Sequence, residues 1–177
     1  PCYNEANRLD GEKFNFFLKS NKHITLLFVN DGSTDDTEYI LNRIETTNTN
    51  ASILSLDQNL GKADAIRRGS LLLANRDMDY IGFWDADLST PLKEIKNIIQ
   101  YFQADLNVKA VIGSRIYKLG SQIERRWFRH FFGRIITTIL SFGPLKEIGV
   151  YDSQCGAKLF KREIVDKIFN MPFRTKW

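Results

Sequence analysis

The amino-acid sequence predicts an α/β fold, a largely parallel, doubly wound sheet flanked by helices, and three observations carry that prediction. Short runs rich in β-branched and aromatic residues recur along the chain, helical apolar spacings stand between them, and polar clusters fall at the ends of the runs. Such alternation supplies the crossover connections that parallel strands need.

Residues 24–30, 52–56, 80–85 and 110–114 read as the strands. Residues 36–44 place Tyr39, Ile40 and Ile44 on one helical face, with Ser33 and Thr34 as candidate caps ahead of them. Residues 62–74 read as a second helix. Thr90 before Pro91 marks a third, in which Ile95, Ile98, Ile99 and Phe102 fall at helical spacing. A longer helix is expected over residues 124–142, where Trp127, Phe128, Phe131, Phe132, Ile135, Ile136 and Ile139 form an apolar stripe. Arg126, His130 and Arg134 recur every fourth residue on its other side. That basic side is either a solvated face above a core stripe or the phosphate-facing side of a helix lying on a membrane.

The 177 residues, 43% hydrophobic and 26% charged, suit one globular domain over 1–177 with a substantial core, and exclude fibrous and disordered classes. A net charge of +4 favours anionic partners, phosphates or membrane surfaces, without deciding between them. Cys2 and Cys155 are too few for a disulfide framework and read as reduced thiols in a cytosolic setting. No apolar run reaches the roughly 18 residues needed to span a bilayer, and no signal peptide is recognisable. The chain opens on the polar turn Pro1-Cys2-Tyr3-Asn4-Glu5 with no strand before it, so a first strand upstream is expected.

In doubly wound sheets ligands bind beyond the carboxyl ends of the strands. Two polar clusters fall there, Asn30-Asp31-Gly32-Ser33 and Asp85-Ala86-Asp87. Alone, the first is a turn with a helix cap and the second a solvated loop; at corresponding ends of neighbouring strands they converge on one crevice. Two carboxylates one residue apart can hold a divalent cation while touching the ribose or diphosphate of a nucleotide. Their hard oxygen atoms suit Mg²⁺ or Mn²⁺, which neutralises charge building on a diphosphate leaving group.

Five motifs in order resemble those of family 2 glycosyltransferases of GT-A fold: Pro1-Cys2-Tyr3-Asn4-Glu5, Val29-Asn30-Asp31-Gly32-Ser33-Thr34-Asp35, Asn59-Leu60-Gly61-Lys62, Asp85-Ala86-Asp87 and Gly113-Ser114-Arg115. The segment from Asp152 through Gln154-Cys155-Gly156 to Phe160 is similar to that of dolichyl-phosphate glucosyltransferases and related polyprenyl-phosphate sugar transferases. The resemblance implies that Pro1, Tyr3 and Glu5 border the nucleotide base and that Asp31 accepts a hydrogen bond from it. It places Asp85 and Ala86 at the ribose or diphosphate and Asp87 on the metal, with Asp85 beside it. Lys62 would lie near the donor, its alternative being a solvated lysine in a first helical turn. Arg115 and Arg129 resemble arginines that hold an acceptor phosphate, with Arg125, Arg126 and Arg134 as rivals to Arg129. Ser89 stands where related mannosyl transferases often carry a metal-ligating Gln. Relatives also begin with a hydrophobic strand and continue past the tryptophan matching Trp177.

The implied chemistry is inverting displacement at an anomeric carbon. A hydroxyl acceptor needs a general base, for which Asp152 is the candidate, its other reading being a turn residue. A lipid monophosphate, with its second ionisation near pH ~6, is already anionic and needs only arginines to orient it. The leading expectation is transfer of a hexose, glucose ahead of mannose, from UDP-glucose or GDP-mannose to a polyprenyl or dolichyl phosphate, by an enzyme peripheral to the cytoplasmic face of a membrane. Two other readings stand beside it, a saccharide acceptor on the same fold and a nucleotide-binding module without catalysis. Nucleic acid is not an expected partner, because the basic helix has no recognition motif and the acidic turn repels a phosphate backbone.

Overall fold

Local sequence explains where each element starts. Asp10 caps the first helix, α1 (Gly11–Ser20), its carboxylate accepting the Lys13 N–H at 3.1 Å, and Phe14, Phe17 and Leu18 fall on its buried face. Then follow β1 (Leu26–Asp31), α2 (Thr37–Thr47), β2 (Ala51–Leu56), α3 (Lys62–Ala74), β3 (Tyr80–Trp84), α4 (Glu94–Ala104) and β4 (Ala110–Ile112), with β5 (Ala157–Lys161) and α5 (Arg162–Phe169) closing the order. The computed structural model describes residues 1–114 and 155–173. The expected helix over 124–142, together with Arg115, Arg129 and Asp152, lies outside the described residues.

Strands β1 and β2 pair in parallel, Leu26 opposite Ala51 through Asp31 opposite Leu56. A second sheet has the order β3-β5-β4, in which β5 runs antiparallel to both neighbours, so β3 and β4 point the same way. Helices cover both faces. On one, Ile66 and Ala74 of α3 pack with Ile81, Phe160 and Val165. On the other, Ile98 and Phe102 of α4 pack with Leu159, and Phe14 of α1 meets Phe28 edge-on at 5.0 Å. The predicted α/β architecture is present, and all four predicted strands and the three predicted helices that fall within the described residues form within a few residues of their expected limits.

Three differences have physical causes. Ser33 and Thr34 do not cap α2; Asp36 stands at its N-cap, and Ser33 and Thr34 bond instead to the turn at Asn4. Helix α4 begins at Glu94, because 91–93 form a tighter turn with Glu94 N–H on Pro91 O and Ile95 N–H on Leu92 O. Strand β3 stops at Trp84, because the Asp85 carbonyl accepts the Leu88 N–H at 3.2 Å and closes a turn.

Between β1 and β3 the two sheets are not hydrogen-bonded to each other, and a cavity of about 480 Å³ separates them. Its walls are largely apolar side chains of both strands and of α3 and α4, among them Leu27, Val29, Ile66, Phe83 and Ile95, with polar residues such as Ser70 and Asp79 also lining it. At its mouth Cys2 pairs in parallel with Asn30, its N–H on Val29 O and its carbonyl on Asp31 N–H, both 2.8 Å. Leu26, Leu27, Phe83 and Trp84 are only half-buried despite lying under helices.

Within the second sheet, β3 and β5 approach so closely at Gly82 that an added Cβ would lie 2.1 Å from Lys158 O. Only movement of the backbone relieves that overlap. Gly82→Ala is expected to lower the unfolding free energy by about 3 kcal/mol, read from the urea midpoint; an unchanged midpoint would show that the strands separate freely.

Candidate nucleotide-sugar site

The carboxyl ends of β1 and β3 and the start of α3 surround a second, polar crevice of about 430 Å³. It is lined by Pro1, Cys2, Tyr3, Glu5, Arg8, Asp31, Asn59, Gly61, Lys62, Asp85, Ala86 and Asp87. The two sequence clusters thus converge as expected, and every described candidate from Pro1 to Asp87 borders one space.

The turn at the N-terminus is laced to the turn after β1. Asn4 N–H donates to Ser33 Oγ at 3.1 Å, Thr34 N–H to Asn4 Oδ1 at 2.9 Å, Glu5 N–H to Thr37 Oγ1 at 2.8 Å, and Ala6 N–H to Asp35 Oδ2 at 3.1 Å. The Thr37 hydroxyl bond holds the Asp35 carboxyl below the usual carboxylate range. Sequence reasoning missed this role. Asn4 takes a left-handed φ of 50°, and small polar side chains at 33–37 are the signal for such turns.

Asp31 is buried, and its two oxygens each accept a backbone N–H from the next loop, Leu60 at 2.8 Å and Gly61 at 2.9 Å. Gly32 lets that loop lie against it, since a Cβ there would meet Gln58 C at 2.5 Å. The loop ends at Lys62, the first residue of α3, whose Nζ reaches Asp85 Oδ1 at 2.5 Å.

The Asp85-Ala86-Asp87 turn is fixed from three directions. Its backbone closes on Leu88, which has φ 53°; Asp87 Oδ1 accepts Ser89 N–H at 3.0 Å; and Trp84 Nε1 donates to Thr90 O at 2.8 Å. Ser89 is exposed. Glu5 faces this turn. Its Oε1 accepts from Arg8 at 2.7 Å, whereas its buried Oε2 has no hydrogen-bond partner among the described residues. Burial pushes the Glu5 carboxyl up; Arg8 opposes the rise, and the negative Asp87 and Asp85 add to it.

The donor set suits a small divalent cation. Mg²⁺ and Mn²⁺ are commonly held by one or two carboxylates with water and substrate phosphate completing the shell. Asp85 and Asp87 supply two. No group of three or more His, Cys, Asp or Glu close enough to hold a metal occurs among the described residues. Cys2 and Cys155 are both buried and form no disulfide, the Cys155 sulfur lying 4.0 Å from Thr90 Oγ1, and burial raises the Cys2 thiol above its usual range.

Fold and crevice together define an α/β domain of the GT-A kind, with acidic strand-end turns around a nucleotide-sized space. The chain belongs to glycosyl transferase family 2, whose model matches residues 1–169. A dolichyl-phosphate β-glucosyltransferase of Trichomonas vaginalis is 31% identical over 193 residues, covering 100% of this chain and 56% of its own length. That of Dictyostelium discoideum is 31% identical over 196 residues, covering 100% and 57%. The chain therefore spans little more than half of these relatives. Among solved structures, glucosyl-3-phosphoglycerate synthase of Mycobacterium tuberculosis superposes over 93% of this chain and 55% of its own, with TM-score 0.65 and 18% identity. A mannosyltransferase of Pyrobaculum calidifontis, solved with GDP-Man and Mn²⁺, covers 97% and 46% with TM-score 0.63 and 20% identity. No helix among the described residues is long and apolar enough to cross a membrane.

Asp31→Asn keeps the shape but turns an amide toward one of the two loop N–H groups. Urea unfolding is expected to show a loss of about 2 kcal/mol, the cost of a buried unpaired donor. Full stability in this variant would mean that the loop is held by other contacts.

Proposed function

We propose that this chain is the donor-binding domain of an inverting hexosyltransferase that moves glucose, ahead of mannose, from a nucleotide diphosphate sugar to a polyprenyl phosphate at the cytoplasmic face of a membrane. The observation that carries the reading is the single crevice joining Glu5, Lys62, Asp85 and Asp87 at the strand ends. The names of the dolichyl-phosphate glucosyltransferase relatives support the acceptor and the sugar.

In this reading Pro1, Tyr3 and Glu5 border the base, and the unpaired Glu5 Oε2 accepts an N–H or O–H from the nucleoside. Asp31 holds the 59–61 loop and offers its remaining lone pairs. Asp85 and Ala86 face the ribose or diphosphate, Asp87 and Asp85 hold the cation, and Lys62 transfers its charge from Asp85 to the diphosphate. A bound Mg²⁺ or Mn²⁺ supplies charge neutralisation for the leaving diphosphate. The acceptor phosphate oxygen, oriented by Arg115 and Arg129, forms the new bond at the anomeric carbon as the sugar–diphosphate bond breaks. No proton is removed from an anionic phosphate nucleophile, so Asp152 is not needed as a base.

Incubating the full-length protein with radiolabelled UDP-glucose or GDP-mannose, Mn²⁺ and dolichyl phosphate is expected to give a lipid-linked sugar. Asp87→Ala is expected to lower the rate by at least about 100-fold, as for loss of an electrostatic catalytic group. Transfer only to a saccharide sinks the acceptor assignment, and nucleotide binding that ignores Mn²⁺, without turnover, favours a module without catalysis.

We propose also that the slot between β1 and β3 is a strand position, filled by chain running into Pro1. What supports this is the parallel Cys2 bridge at the slot's mouth and the parity it implies: Val29 O faces Cys2, so the Leu27 and Val29 amides face the slot too. Adding about five apolar residues ahead of Pro1 is expected to slow hydrogen exchange at those amides. Unchanged exchange would count against a strand there.

A further inference from the structure

Gly156 stands directly across the sheet from the acidic turn. Trp84 pairs with Ala157 in the antiparallel ladder of β3 and β5, so one step beyond the ladder Asp85 lies opposite Gly156. Directly opposed residues in such a ladder share a face, and their Cβ atoms ordinarily stand about 4.5–5.5 Å apart. Here there is no room for a second Cβ. One built on Gly156 would lie 1.8 Å from Asp85 Oδ2, 2.0 Å from its Cγ and 2.5 Å from its Oδ1. The carboxylate itself occupies the volume that any side chain at 156 would take. The same carboxylate pairs with the Lys62 ammonium, 2.5 Å from Oδ1.

This crowding differs from that at the other tight glycines. At Gly82 the obstacle is the backbone carbonyl of Lys158, and at Gly113 the nearest obstacle is the Cys155 sulfur at 2.9 Å. At Gly156 the three nearest atoms all belong to one carboxylate of the crevice. The glycine is also not required for its backbone freedom, since the positive-φ glycines are Gly32 and Gly61. What the position demands is empty space.

We infer that Gly156 is a positioning residue for Asp85: its missing side chain leaves the pocket into which the carboxylate settles, and so fixes the direction from which Asp85 meets the donor. A methyl group there drives Asp85 about its χ1 into another well, away from Lys62. No charge is removed, yet the site loses its alignment. The inference rests on the reading of Asp85 as a donor-binding group.

A double-mutant cycle on the full-length protein tests it, with Asp85→Ala, Gly156→Ala and the double variant. The readouts are calorimetric binding of UDP and of GDP, each with Mn²⁺, and the thermal midpoint. Gly156→Ala is expected to weaken binding of the preferred nucleotide at least about tenfold, which is about 1.4 kcal/mol. In the Asp85→Ala background the same substitution is expected to change neither binding nor midpoint, because the group it strikes is gone. If Gly156→Ala alone fails to fold while the double variant folds, the steric link to Asp85 stands. Additive losses, unaltered binding in Gly156→Ala, or failure of both variants to fold would overturn the positioning role. Wild-type affinity in Asp85→Ala would overturn the donor-site reading itself, and the positioning role with it.

Discussion

The buried carboxylate of Asp31 is the constraint on which the crevice depends. A charged side chain is tolerated inside a domain only where hydrogen bonds replace the water it has lost. Here the replacements are two backbone N–H groups, from Leu60 and Gly61, at the point where β2's exit loop turns into α3. Asp31 therefore does with its side chain what a strand does with its backbone: it ties the end of β1 to the start of α3. Lys62 follows immediately, and its ammonium reaches across to Asp85. One carboxylate at the tip of the first sheet thereby sets the position of a cation that faces a carboxylate at the tip of the second.

Among the described residues the two sheets share no ladder, and that cross-connection is one of the ties between them. They are held together by α3, which packs on both, and by apolar clusters that leave Leu27 and Phe83 half-buried beside an apolar cavity. The polar end of the domain is built differently. Short side-chain to backbone bonds lace 4–6 to 33–37, and each joins a group that would otherwise be an unpaired donor in a tight turn. Hydrophobic packing fixes the layers, while hydrogen bonding fixes the loops. The crevice is the place where the second kind of order takes over from the first.

Legibility followed the same division. Strand β3 was plain from Tyr80-Ile81-Gly82-Phe83-Trp84, and α3 from a periodic run over Lys62–Ala74, because their side chains answer directly to burial. The convergence of Asp31 with Asp85 and Asp87 followed from alternating strands and helices alone. Helix α1 escaped because its signal, Asp10 ahead of Phe14, Phe17 and Leu18, is short and includes the exposed Phe16. Strand β5 and helix α5 escaped because Ala157–Lys161 runs straight into Arg162 with no turn residue between them to divide strand from helix. Ser33 and Thr34 look like helix caps in sequence. Only the fold shows that the Asn4 turn has claimed them, since that partner lies about thirty residues away in the chain.

The electrostatics of the crevice fit a site that exchanges partners. Asp85 and Lys62 form a short ion pair, but the lysine is nearly half open to water, and pairs so exposed contribute little net stability. Such a pair is easily replaced. Glu5 carries the opposite sign of the same argument: its Oε2 is dehydrated without a partner, and the neighbouring Asp87 and Asp85 make its charge still less favourable. Stability alone would favour removing that charge. A cation between the aspartates would relieve the repulsion, and a donor group set against Oε2 would supply the missing bond. In the proposed reading, an incoming diphosphate draws the Lys62 ammonium away from Asp85 while a donor group of the nucleoside meets Glu5 Oε2.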